Sequence, residues 1–225
     1  MRPTLNTVTR SRSGALIETN SVIRNTYMLL GLTLGFSAFT AWFAMLSNAR
    51  PMGLLVLPIY IGLLFMTQAL RNSGWGIVSI FAFTGFMGYT LGPLLNMAIQ
   101  GFSNGPQLIM TSLGLTAFIF FCLSAYALTT RKDFSYMGGF LFVGMTVAFV
   151  ASLAGFFFPI PGLYLLICSA FVLLSSGMIL FETSRIIHGG EQNYIMATIS
   201  LYVSIYNLFI SLLQLLMMFA GNRRN

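Results

Sequence analysis

"LYLLICSAFVLLSSGMILFETSRIIHGGEQNYIMATISLYVSIYNLFISLLQLLMMFA", residues 163–220, decides the fold: two apolar runs flank the short stretch "HGGEQN" at 188–193. A helix rising about 1.5 Å per residue needs about 20 residues to cross a hydrocarbon core of about 30 Å. Both runs, 163–187 and 194–220, are long enough. So brief a connection makes the two helices antiparallel neighbours. Strands are excluded, because the runs lack alternation and an open sheet cannot satisfy its backbone in lipid.

Five more runs of this kind precede the pair, at approximately 26–47, 52–70, 76–99, 107–130 and 136–158. They are joined by "NARP", "RNSGW", "GFSNGPQ", "RKDFS" and "PIPG", rich in the residues that stop helices and turn the chain. The composition agrees: 57% of the 225 residues are hydrophobic, 7% are charged and mean hydropathy is +0.86. That is far more apolar surface than one soluble core absorbs. The expected fold is an all-α integral membrane protein, a seven-transmembrane helix bundle whose solvent is the lipid bilayer. Cys122 and Cys168 both fall inside apolar runs and read as small buried hydrophobes.

Residues 1–24 differ in kind, with Arg2, Arg10, Arg12 and Arg24 against Glu18 among many Ser, Thr and Asn. They read as a solvated cytoplasmic N-terminal tail with a short interfacial helix near "GALIE". The expected organisation is therefore a tail over 1–24, a transmembrane domain over 25–220 and a short C-terminal tail over 221–225. With the N-terminus inside, eight basic residues lie on the inner side (Arg2, Arg10, Arg12, Arg24, Arg71, Arg131, Lys132, Arg185) and three outside (Arg50, Arg223, Arg224). The excess fits an inside tail; seven crossings then leave the C-terminus outside, in the periplasm, where Arg223 and Arg224 run against the rule. The formal charge of +7 follows topology and forms no patch, which excludes a nucleic-acid partner.

Lipid gives helices no hydrophobic reason to associate, so contact depends on small residues and on polar side chains bonding across it. Gly31 and Gly35 form a GxxxG in the first span, and Gly85, Gly88 and Gly92 line the third. In the seventh, Ser200, Ser204, Asn207, Ser211 and Gln214 recur at intervals of 4, 3, 4 and 3, one stripe along the helix, with Tyr202 and Tyr206 on an adjoining face. The stripe reads as a packing seam or as a hydrophilic pathway.

Two of the four carboxylates and the single histidine crowd the turn at 181–194. Glu182 stands near the inner end of the sixth span, with Arg185 one turn on and Arg71 at the inner end of the second as alternative partners. An acid at that depth is a functional candidate or a snorkelling ion pair. Glu182, Arg185, Arg71, Ser204 and Asn207 form the candidate buried polar, pH-sensing site. Gly31, Gly35, Gly85, Gly88, Ser200 and Ser211 are the candidate helix-packing set. His188 and Glu191 read as solvated loop groups. No HExxH, Walker loop or CxxC occurs, and one histidine with two scattered cysteines makes no ordinary metal site. No enzyme, metal or cofactor is expected.

"ILFETSRIIHGGEQNYIMATISLYVSIYNLFISLLQLL" at 179–216, with "RNTYMLLGLTLGFSAFTAW", "FAFTGFMGYTLGPLLN" and "AYALTTRKD", resembles the Bax-inhibitor family of seven-span proteins along almost the whole chain, in particular the bacterial inner-membrane members that modulate the ATP-dependent protease FtsH. The resemblance implies a bundle with the seventh helix central and a regulator that binds FtsH and restrains its attack on membrane proteins. It also implies that the acid at the inner end of the sixth helix, here Glu182, belongs to a pH-sensitive site that in some members gates a calcium leak. Those members pair it with a second acid halfway along the seventh helix, where Ser204 stands in this sequence. The alternative function is a pH-sensitive calcium or proton leak.

Overall fold

The computed structural model describes residues 5–158 and 162–222, with side chains described over 20–155, 157–158 and 162–221. Among them the chain folds as α1 (Leu5–Leu46), α2 (Val56–Leu70), α3 (Trp75–Gly101), α4 (Gly105–Thr130), α5 (Gly138–Phe157), α6 (Leu163–Ile187) and α7 (Tyr194–Asn222). Single 3-10 turns at Gly53–Leu55 and Ser135–Met137 lead into α2 and α5. Seven of these stretches are long and apolar enough to span a bilayer. The protein is an all-helical membrane protein whose spans match those read from the apolar runs. The "PIPG" connection and the final arginines fall at or beyond the edges of the described residues.

The first helix departs from expectation. It is continuous from Leu5, so a segment read as a solvated tail is helical up to the membrane span that begins at Asn20. No proline interrupts the sequence between Pro3 and Pro51, and a helix already formed in the membrane extends at little cost once nucleated.

The outer surface carries large apolar side chains that water would not tolerate: Phe118, Phe121, Phe140, Phe142, Leu166 and Leu173 are each at least 66% exposed. In a bilayer these face acyl chains. Inside, Phe83, Ile80, Ile179, Leu201 and Leu208 make the dry core, drawn from α3, α6 and α7. α7 packs against α1, α3, α4 and α6, while α2 is held chiefly by α3 and α5 chiefly by α6.

α1 and α3 pack with their backbones close together, and glycine makes it possible. A Cβ on Gly88 would meet the Ser37 carbonyl and the Thr40 hydroxyl of α1, one on Gly92 would lie 2.5 Å from the Ala44 Cβ, and one on Gly85 would press on the Phe36 ring at 2.6 Å. The α1 glycines behave otherwise. Gly31 and Gly35 are exposed with nothing within 4 Å of a Cβ, so among the described residues their GxxxG meets no other helix, in contrast to the packing role expected of it. Spacing places both on one face, but Ser37, Ala41 and Ala44 on another face are what α3 covers. Cys122 is likewise exposed, and only Cys168 is buried.

Gly88→Leu should cost about 1–3 kcal/mol through overpacking against α1 backbone, whereas Gly31→Leu and Gly35→Leu should each change stability by less than about 0.5 kcal/mol. Thermal unfolding of the three variants in detergent checks the contrast.

Candidate functional site

The end of α6 is a glycine-terminated helix stop. His188 closes the last turn, Gly189 takes φ 73°, and the amides of Gly189 and Gly190 donate to the carbonyls of Ile186 (3.3 Å) and Arg185 (2.8 Å). This is the Schellman arrangement, and it turns the chain toward α7. Asn193 opens α7 as its cap, the Oδ1 accepting from the amides of Ile195 (3.0 Å) and Met196 (3.1 Å).

That turn is tied to the other two loops at its end of the bundle. Asn193 Nδ2 donates to the Arg71 carbonyl (3.1 Å) and to Asn72 Oδ1 (2.9 Å) in the α2–α3 connection. Ser184 Oγ accepts from the Phe134 amide (3.0 Å) and donates to the Lys132 carbonyl (3.2 Å) in the α4–α5 connection. His188 adds a third tie: Nδ1 lies 2.8 Å from the Ser184 carbonyl and Nε2 3.1 Å from the Arg131 carbonyl. In the same loop, hydrogen bonds from Ser135 hold the exposed Asp133 carboxyl below the usual range, with His188 adding to the effect.

The charges gather around one guanidinium. Glu182 is buried, its side chain 5% exposed, and Arg185 Nη1 lies 3.3 Å from its Oε2. Arg185 Nη2 is 3.7 Å from Glu191 Oε2, and its guanidinium carbon sits 5.6 Å from the centre of the Phe181 ring. Arg185 thus bridges a buried acid and a loop acid across the helix end. Arg71, the alternative partner, is exposed and offers the turn only its backbone carbonyl, so it is not part of the charged cluster. His188 is exposed and Glu191 partly so, as solvated loop groups are, and both also tie the turn together; their place within a helix stop was the available signal for that second role.

Ser204 and Asn207 lie elsewhere. With Ser200 they form one wall of a cavity of ≈ 520 Å³ bounded by α2, α3, α5, α6 and α7, which Glu182 does not line. Ser204 Oγ donates back to the Ser200 carbonyl at 3.0 Å. Further along the stripe, Cys168 Sγ donates to Gln214 Oε1 at 3.3 Å and joins α6 to α7. Tyr202 and Tyr206 serve as rivets: Tyr202 OH donates to the Thr84 carbonyl (3.2 Å) and meets Ser37 Oγ (2.6 Å), and Tyr206 OH meets Thr90 Oγ1 (2.8 Å). The expected site is therefore two sites, a charged cluster at the loop end and an uncharged wall within the membrane.

The chain does spell G-x-S-x-G once, at "GFSNG", 101–105, although no catalytic motif was expected. A nucleophile elbow needs a strand before the serine and a base beside it. Ser103 follows a helix, at the end of the bundle opposite His188, about 40 Å of α3 away. Among the described residues no three His, Cys, Asp or Glu side chains come together as metal ligands.

The family profile described as "Inhibitor of apoptosis-promoting Bax1" matches residues 19–221. An uncharacterized protein of Pseudomonas aeruginosa is 56% identical over 199 residues, covering 88% of this chain and 89% of its own. "Modulator of FtsH protease YccA" of Escherichia coli K12 is 52% identical over 203 residues, covering 90% and 92%. An uncharacterized membrane protein of Vibrio cholerae is 46% identical over 218 residues, covering 94% and 97%.

Arg185→Gln strands a desolvated carboxylate, whereas Glu182→Gln leaves an arginine that is a third exposed and still faces Glu191. The first should cost about 2–4 kcal/mol and the second about 1 kcal/mol, read as melting temperatures in detergent at neutral pH. Equal losses would contradict the asymmetry. Asn193→Ala, which removes a cap and a loop tie together, should cost about 1–2 kcal/mol in the same assay.

Proposed function

The chain belongs to the Bax-inhibitor family, and on that premise we propose that it is a bacterial inner-membrane regulator that binds the ATP-dependent protease FtsH and restrains its degradation of membrane proteins. The observation that carries this reading is the 52% identity, over nine-tenths of both chains, to a protein named as a modulator of that protease. A regulator of this kind needs a stable bundle and an accessible face and no reaction chemistry, and we propose no enzymatic activity. Its polar groups fit that role, since those at the loop end bond to one another and hold helices together.

The orientation we propose puts residues 1–24 and the stitched loops in the cytoplasm and the C-terminus in the periplasm. Arg71, Arg131, Lys132 and Arg185 all lie at the stitched end, as retention of basic loops inside requires. A cytoplasmic location also leaves these loops within reach of a protease that works there.

A second reading, a pH-sensitive calcium or proton leak, is favoured by the cavity beside the α7 stripe. Against it, calcium takes six to eight oxygens, usually several of them charged. The lone membrane carboxylate, Glu182, is already held by Arg185, and Ser204 adds only a hydroxyl.

The protein should co-purify with FtsH from crosslinked, solubilised membranes, and its overproduction should lengthen the half-life of a membrane substrate of FtsH at least twofold. An unchanged half-life together with no co-purification would overturn the regulatory reading. Calcium flux into proteoliposomes that Glu182→Gln abolishes would favour the leak instead.

A further inference from the structure

The cavity between α2 and α5 has the makings of a ligand site that the regulatory reading does not use. Its volume, ≈ 520 Å³, falls in the ordinary range for small-molecule pockets, about 300–1,000 Å³. Among the described residues α2 packs chiefly on α3 and α5 chiefly on α6, and the cavity between them is lined from both, within spans that face the bilayer. A molecule dissolved in the bilayer enters without crossing water.

The lining defines the chemistry. None of its residues is charged, so an ionic head group finds no partner there. Polar groups are confined to Tyr60 on α2 and to Ser200, Ser204, Tyr206 and Asn207 on α7. Ser204 and Tyr206 are already bonded, to the Ser200 carbonyl and to Thr90. The Asn207 amide and the Tyr60 and Ser200 hydroxyls make no hydrogen bond among the described residues. Asn207 lies thirteen residues into α7, about 20 Å along its axis. An amide left unpaired in hydrocarbon costs a few kcal/mol, and all three groups are hydrogen-bond donors. Each can also accept, and a ligand bearing carbonyl oxygens meets the donor side of all three.

The rest of the wall suits an apolar body. Met87, Met145, Met178 and Met196 give it adaptable side chains, and Phe149 and Phe171 give it flat ones. We infer that this cavity binds an uncharged membrane amphiphile whose head presents carbonyl oxygens to Asn207, Tyr60 and Ser200 and whose apolar chain leaves between α2 and α5. The inference rests on the cavity alone and holds whether or not the protein acts on FtsH.

Two molecules share that head chemistry, an alkyl quinone and a diacylglycerol, and the experiment separates them. Purified full-length protein in nanodiscs is photolabelled with a diazirine-tagged decyl quinone, a diazirine-tagged dioctanoylglycerol, or a diazirine-tagged alkane without a carbonyl, each against its untagged competitor. The expected result is saturable labelling by at least one carbonyl probe, mapped to peptides containing residues 56–64 or 196–207, with the alkane labelling weakly and without saturation. Asn207→Leu, which breaks no hydrogen bond of the folded protein and removes an unpaired amide, should weaken binding at least fivefold without lowering the melting temperature. Val203→Phe, which fills the cavity, should abolish it. Quinone labelling alone identifies a ring ketone as the head, and diacylglycerol labelling alone identifies an ester. Labelling by neither probe, labelling no stronger than that of the alkane, or full binding retained by Asn207→Leu would overturn the inference.

Discussion

Hydrocarbon offers no hydrogen bonds, and the whole architecture answers to that constraint. Backbone groups are satisfied within each helix, which is why seven helices and no lipid-exposed strand cross the membrane. The same demand governs side chains. Thr33, Ser79, Thr84, Ser112, Thr116, Thr146 and Ser176 each donate to a carbonyl three or four residues earlier on their own helix. A hydroxyl bonded in this way behaves as a small, nearly apolar side chain and lets helices approach. Only a few polar contacts cross between helices in the interior, and most involve α7: Tyr202 to Ser37 and Thr84, Tyr206 to Thr90, and Thr198 to the Thr26 carbonyl.

The spans were legible because length and hydropathy are local properties of the sequence. All seven helices fall within a few residues of the apolar runs, apart from the start of α1, where a polar stretch continues as helix from Leu5. Faces were less legible than lengths. Spacing put Gly85, Gly88 and Gly92 on one side of α3 and Gly31 and Gly35 on one side of α1, but spacing says nothing about which side a neighbour covers. One set packs closely against α1 and the other is exposed. The same limit explains Arg71, whose position at the inner end of α2 put it at the right depth for Glu182 while its side chain stayed exposed. Partner choice between helices depends on rotation about each axis, and hydropathy does not encode it.

The crowding of charge at 181–194 has a structural cause. α6 must stop, turn and hand over to α7 beside two other loops, and each loop brings backbone groups that need partners. Ser184, His188 and Asn193 supply them, and Arg185 joins the two acids, one buried in the last turns of α6 and one in the turn. Arg185 carries the charge balance of the site because it alone touches both carboxylates. Removing it exposes the difference between a desolvated acid and a half-solvated one.

The two ends of the bundle are therefore unequal in construction. At the stitched end, side chains bond the α2–α3, α4–α5 and α6–α7 connections into one plate, so α2 and α5 are fixed where they meet it. Along their length α2 packs chiefly on α3 and α5 chiefly on α6. α2 buries only Thr67 completely and begins in a 3-10 turn with no buried residue. The cavity is lined by both of these helices and backed by the uncharged part of the α7 stripe. Charge and rigidity are thus concentrated at one end, and open volume with unpaired neutral donors lies within the membrane. A charged cluster inside the cavity would have drawn in water and ions. Its placement at the loops leaves the cavity to uncharged molecules.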